Sequence, residues 1–192
     1  MSALKVVELT ARTWPALEQL FGPRGAVEGC WCMFFRQTGP ANSRNAGEPN
    51  RLAARELARS GEPVGLLAMA GAKPVGWVAV APRAVYRRLA RSPIAKPIDP
   101  NEDLTGVWSV TCFFIHRTAR GHGVAAQLLT AAVRYAARHG AGVVEAYPVD
   151  TNGVKSSAGE LYHGTLSMFT DAGFQLVDRR GTRRALVRKT VG

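Results

Sequence analysis

In Phe113-Phe114-Ile115-His116-Arg117-Thr118-Ala119-Arg120-Gly121-His122-Gly123-Val124-Ala125 an apolar run passes through a turn rich in Arg and Gly straight into a helical pattern. Upstream, Val107 to Ile115 reads as the strongest strand of the chain. Downstream, Ala125, Leu128, Leu129, Ala132, Val133 and Ala136 recur at helical spacing, and Gly140 ends the pattern. A strand that enters a helix through so short a turn aims several unpaired backbone N–H groups into one concavity, where the helix dipole adds partial positive charge. The glycines allow close approach of a phosphate, and Arg117 and Arg120 supply countercharge.

Working outward, Val143 to Val149 reads as a second strand, completing a strand-helix-strand unit. Towards the N-terminus, Val64 to Ala70 and Val75 to Ala81 flank Gly71-Ala72-Lys73-Pro74 as a hairpin. Before them, the sequence predicts a strand over Val6 to Leu9 and a helix in which Trp14, Leu17, Leu20 and Phe21 share a face. A second helix, capped by Asn50, is expected to run to Gly61. Arg83 to Arg91 is expected as a short helix with a solvated arginine stripe. A helix near Glu160 to Asp171 and strands around Phe174 to Asp178 and Arg184 to Arg188 complete the order. The fold class is therefore α/β (α+β): residues 1–192 as one domain, with a central, mostly antiparallel twisted sheet flanked by helices.

The 192 residues carry 25 Lys+Arg against 14 Asp+Glu, a net charge of +11, and 46% of them are hydrophobic. That excludes a disordered chain, and no apolar run reaches the length of a membrane helix. The first residues lack the apolar block of a secretory signal, and three cysteines suit free thiols, so a cytoplasmic protein is expected. The basic balance fits nucleic acid, an acidic protein or a polyanionic small molecule, but no recognition motif for nucleic acid accompanies it.

Two familiar phosphate motifs are excluded. There is no Gly-x-x-x-x-Gly-Lys-Ser/Thr, and Gly121-His122-Gly123 does not stand at the first strand of the fold, where a dinucleotide fingerprint belongs. The spacing is instead Arg-x-x-Gly-x-Ala, and Arg120-Gly121-His122-Gly123-Val124-Ala125 resembles the acyl-CoA signature of the GNAT superfamily of N-acetyltransferases. Phe169-x-x-x-Gly173-Phe174 resembles the family's late helix ending in Gly-Phe, and the order of elements is similar over nearly the whole chain.

The resemblance implies acetyl-CoA as co-substrate. Its pyrophosphate would lie on the amides of Arg120, Gly121, His122, Gly123, Val124, Ala125 and Ala126, and its pantetheine arm against Phe113, Phe114 and Ile115. The implied reaction is acetyl transfer to a primary amine of a small molecule or protein by direct attack on the thioester. The other outcome is a binding-only sensor or partner protein of the same fold.

Glu145, the only acidic residue within a core strand pattern, is the expected base, the alternative being an outward-facing strand residue. Phe169 stands where the family often has a tyrosine, so Tyr162 is expected as the acid, with Tyr147 and His163 as further candidates. Trp31, Cys32, Phe34 and Arg36 are expected to line the acceptor site, although packing is the alternative for the aromatic residues. No metal site is expected, and the assembly expected is a monomer or homodimer.

Overall fold

The computed structural model describes residues 4–154, 156–157 and 159–192. Its strands are β1 (Leu4–Glu8), β2 (Gly65–Ala70), β3 (Lys73–Pro82), β4 (Val107–Ile115), β5 (Val143–Ala146), β6 (Gln175–Arg180) and β7 (Arg184–Thr190). They form one sheet in the order β1-β2-β3-β4-β5-β7-β6. Every neighbouring pair is antiparallel except β4 and β5, the two ends of the strand-helix-strand unit read from the sequence.

Among the described residues five α-helices flank the sheet: α1 (Trp14–Phe21), α2 (Gly39–Arg44), α3 (Glu48–Ser60), α4 (Val124–Arg138) and α5 (Leu166–Asp171). In α4 the predicted apolar face is the packed one, with Leu128, Leu129, Ala132 and Ala136 all fully buried. A Cβ on Gly76 of β3 would stand 2.9 Å from Val124 and 3.0 Å from Leu128, so the bare glycine lets the start of α4 lie close against the sheet. On the opposite face Trp14, Leu17, Leu20 and Phe21 of α1 pack with Leu67, Trp77 and Ala79.

Several local expectations are corrected. Asn50 lies inside α3, not at its start, and is fully buried with its amide nitrogen donating to the Gly29 carbonyl at 3.1 Å. Arg83 to Arg91 is not a helix but two short 3-10 turns, and Arg83 is buried. The helix near Glu160 is a 3-10 turn over Leu161–His163 followed by α5, which Thr165 caps by accepting from the Met168 amide. β5 ends at Ala146, three residues early.

Two features of β4 position the site. Its parallel pairing with β5 covers only Val107–Val110 against Val143–Ala146; from Thr111 onward it is paired with β3 alone, so the sheet splits there. At the same point its register with β3 steps from Val110 opposite Val80 to Cys112 opposite Ala79, leaving Thr111 as an extra residue. The bulge reverses the alternation of side chains. Trp108 and Val110 face the α4 side before it and Phe113 after it, while Cys112 and Phe114 face α1.

Candidate functional site

The turn between β4 and α4 has the geometry of an anion cradle. Arg117–Ala119 form one 3-10 turn, Gly121 and Gly123 adopt φ of 76° and 71°, and Val124 begins the helix. Such angles favour glycine, and a Cβ at either position would meet no atom within 4 Å, so open space lies in front of the turn. Among the described residues the amides of Gly121 to Ala126 donate no hydrogen bond; the next amide, Gln127, bonds to the Gly123 carbonyl at 3.1 Å. The side chains brace the turn from behind. Arg120 Nε donates to the Ile115 carbonyl at 3.1 Å, and His122 Nδ1 lies 2.8 Å from the Arg120 carbonyl. These residues fit a phosphate-bearing ligand: donors without acceptors, no Cβ in the way, and arginines alongside.

The split between β4 and β5 carries a second group of unsatisfied atoms. The Leu161–His163 turn packs against β4, placing the His163 ring against Tyr162 with ring centroids 4.0 Å apart and edge-on to Phe35 at 5.4 Å. His163 is buried, with the Thr111 backbone beside its ring, and its Nδ1 has no hydrogen-bond partner. The buried hydroxyls of Thr111 and Tyr86 are also without partners. Burial holds the imidazole well below the usual histidine range, and the nearby Arg184 cation acts in the same direction. Burial raises the Tyr162 phenol, so it keeps its proton at neutral pH. A neutral imidazole with a free nitrogen beside a protonated phenol is a competent acceptor and donor pair for proton transfer.

Glu145 has a different environment. It is fully buried where β4 and β5 are still paired. Oε1 accepts from Arg83 Nε at 2.6 Å and from the Tyr147 hydroxyl, while Oε2 accepts from Arg188 at 3.0–3.1 Å. Arg188 also pairs with Glu102. Both carboxylate oxygens are committed to cations, which gives a base at Glu145 no geometric support; this group reads as a buried structural ion cluster. It ties up Tyr147 as well.

The residues expected to line the acceptor site divide. Trp31 is core, stacked on Trp14 at 6.0 Å and packed on Phe21 at 5.8 Å. Arg36 is buried, donating to the Pro63 carbonyl at 2.5 Å, and is not free to receive a carboxylate. Phe34 is half-buried next to Tyr162, with ring centroids 6.4 Å apart, and does face the split. Cys32 is partly buried at a φ of 57° among the residues packed around α1. Phe169, which has no proton to give, is fully buried against Phe113 and Phe174.

Sequence reasoning missed Thr111, Tyr86 and Arg88, and did not set Arg184 apart from the other basic residues of the closing strands. Nothing local distinguishes them, because a bulge and two separated arginines gain meaning only from the sheet that joins them. No group of three or more His, Cys, Asp or Glu among the described residues is placed to hold a metal ion. A groove of about 1100 Å³ beside β1, lined in part by Thr10, Arg59, Thr130 and Arg134, includes neither the turn nor the split.

Residues 30–156 match the Acetyltransferase (GNAT) family, two thirds of the chain. The chain belongs to that family. As a GNAT member it is an acetyl-CoA-dependent acyltransferase. The fold agrees over almost the full length of solved structures. PaiA N-acetyltransferase from Thermoplasma acidophilum, in complex with coenzyme A, is 13% identical with a TM-score of 0.55, covering 98% of this chain and 99% of that one. A GCN5-related N-acetyltransferase from Kribbella flavida is 18% identical with a TM-score of 0.56, covering 98% of each chain. A GNAT acetyltransferase from Streptococcus pneumoniae is 17% identical with a TM-score of 0.56, covering 99% of this chain and 100% of that one. No curated protein matches the sequence. Among the described residues no helix is long and apolar enough to cross a membrane.

Proposed function

We propose that this chain acetylates a primary amine by direct attack on the thioester of acetyl-CoA, with the pyrophosphate on the amides of the turn from Arg120 to Ala126. The unpaired amides of Gly121 to Ala126 carry this reading: most of the row is open to solvent at the start of α4, where a phosphate can replace water on several N–H groups at once. The pantetheine arm then runs along Phe113, Phe114 and Ile115, where β4 has no partner on its β5 side. The co-substrate supplies an activated acyl group; the chain supplies position and proton transfer.

The acceptor enters at the split, beside Phe34 and Tyr162. His163 Nδ1 takes the proton from the attacking amine as the N–C bond forms, and the Tyr162 hydroxyl protonates the departing thiolate as the C–S bond breaks. His163, not Glu145, thus has the role of base, and its unpartnered nitrogen favours turnover over the binding-only alternative. Peptide N–H groups of the bulged strand near Thr111 polarise the thioester carbonyl.

Gly123→Glu tests the placement of the cradle. A Cβ fits there sterically, so the added carboxylate acts chiefly by its charge against the pyrophosphate. Affinity for CoA in isothermal titration is expected to fall at least about 100-fold, and Gly123→Ala, which keeps the backbone strain without the charge, to fall far less. Wild-type affinity in Gly123→Glu would refute the placement. Release of free thiol from acetyl-CoA on adding amines tests turnover itself.

A further inference from the structure

The arginines of this chain are sorted by burial and charge. Among the described residues, Arg36, Arg51, Arg83, Arg180, Arg183 and Arg188 are buried or half-buried, and each has a carboxylate partner. Two other half-buried arginines, Arg88 and Arg184, form no salt bridge, and the Nε of each is buried without an acceptor. They lie at one place. The Arg88 guanidinium sits 3.7 Å from the centre of the Phe34 ring, Phe34 packs on Tyr162, and Tyr162 has the Arg184 guanidinium beside its hydroxyl. Arg184 is held in position by donating to the Tyr147 carbonyl at 2.5 Å. Burial lowers its proton affinity, as expected of a cation that lacks a counterion.

Leaving two cations partly desolvated without an anion costs stability that the rest of the molecule avoids by pairing. We infer that Arg88 and Arg184 receive an anionic group of the acceptor, so that the substrate is a small amine with an apolar or aromatic body that also carries a carboxylate. The body lies on Phe34 and Tyr162, the carboxylate between the two guanidinium groups, and the amine towards His163. The same charges disfavour polyamines and other polycationic acceptors, which find no carboxylate in this recess. This inference rests on the acetyl-transfer reading for its geometry, but its test does not.

L-phenylalanine and L-phenylalaninamide share a body and an amine and differ in the anionic group. Each is titrated calorimetrically into the full chain, with and without saturating CoA, and each is assayed for acetylation. The acid is expected to bind at least about tenfold more tightly than the amide, the worth of one charge-assisted pair. Arg88→Gln and Arg184→Gln should each remove most of that preference by weakening the acid while changing the amide by less than about twofold, and Arg88→Lys should restore part of it. Equal binding of acid and amide, no binding of the acid at millimolar concentration, or an equal loss for both ligands in the variants overturns the inference. Absence of CoA binding in the same titrations would instead sink the acetyl-transfer reading, leaving the comparison of acid and amide to decide the recess by itself.

Discussion

Two buried polar clusters sit within a few residues of each other on β4 and β5, and they have opposite character. Where the strands are paired, Glu145, Arg83, Arg188, Tyr147 and Ser109 saturate one another. Where the strands have parted, Thr111, Tyr86 and His163 each bury a polar atom with no partner, and Arg88 and Arg184 lack a counterion. A saturated cluster stabilises a junction; an unsaturated one persists only if a ligand completes it. The difference also corrects an intuition from sequence, since the only carboxylate in a core strand serves the junction and a histidine from a short turn stands in the cleft.

The largest effect that separates the two is on stability. Glu145→Ala leaves Arg83 facing a cavity without countercharge and Arg188 with Glu102 alone, and a loss of about 3–5 kcal/mol is expected in denaturant unfolding. A variant of wild-type stability would mean that the cluster is not structural. Next comes His163→Asn, expected to reduce turnover at least about 100-fold while CoA binding by titration stays within about twofold. An undiminished rate would remove His163 from the reaction.

The smallest effect is on the pH dependence of folding. An unfolded imidazole binds its proton near pH 6.5, whereas buried His163 resists protonation until well below that. Between those limits the unfolded chain holds more protons, so stability falls as pH drops below about 6.5, with a slope of up to about 1.4 kcal/mol per pH unit. His163→Asn should remove that component between about pH 6.5 and 5, above the range where most carboxylates titrate. An identical slope in the variant would show that the imidazole is not excluded from protonation.

What lay within a few residues along the chain was legible. The strand, the turn with Gly121 and Gly123, and the apolar face of α4 follow from local periodicity and from the φ that glycine tolerates, and with them the family and its anion cradle. α1 was equally readable, because Trp14, Leu17, Leu20 and Phe21 repeat at helical spacing. The Trp31–Arg36 segment shows where such reading stops. Its aromatic density marked it as important, yet only packing shows that Trp31 belongs to the core and Phe34 to the cleft.

The sequence by itself therefore determined the class of fold, the family and the glycine-bearing turn proposed to hold the phosphates, because each depends on spacing within one or two adjacent elements. Tertiary structure alone decided which acid is neutralised, which histidine is left unpartnered and, among the described residues, which two of the eight buried or half-buried arginines lack a carboxylate. Charge pairing joins residues as far apart as Arg83 and Glu145, or Glu102 and Arg188, through the register of the sheet. No local pattern encodes a bulge at Thr111 or the parting of β4 from β5, and those two departures from regular pairing make the site.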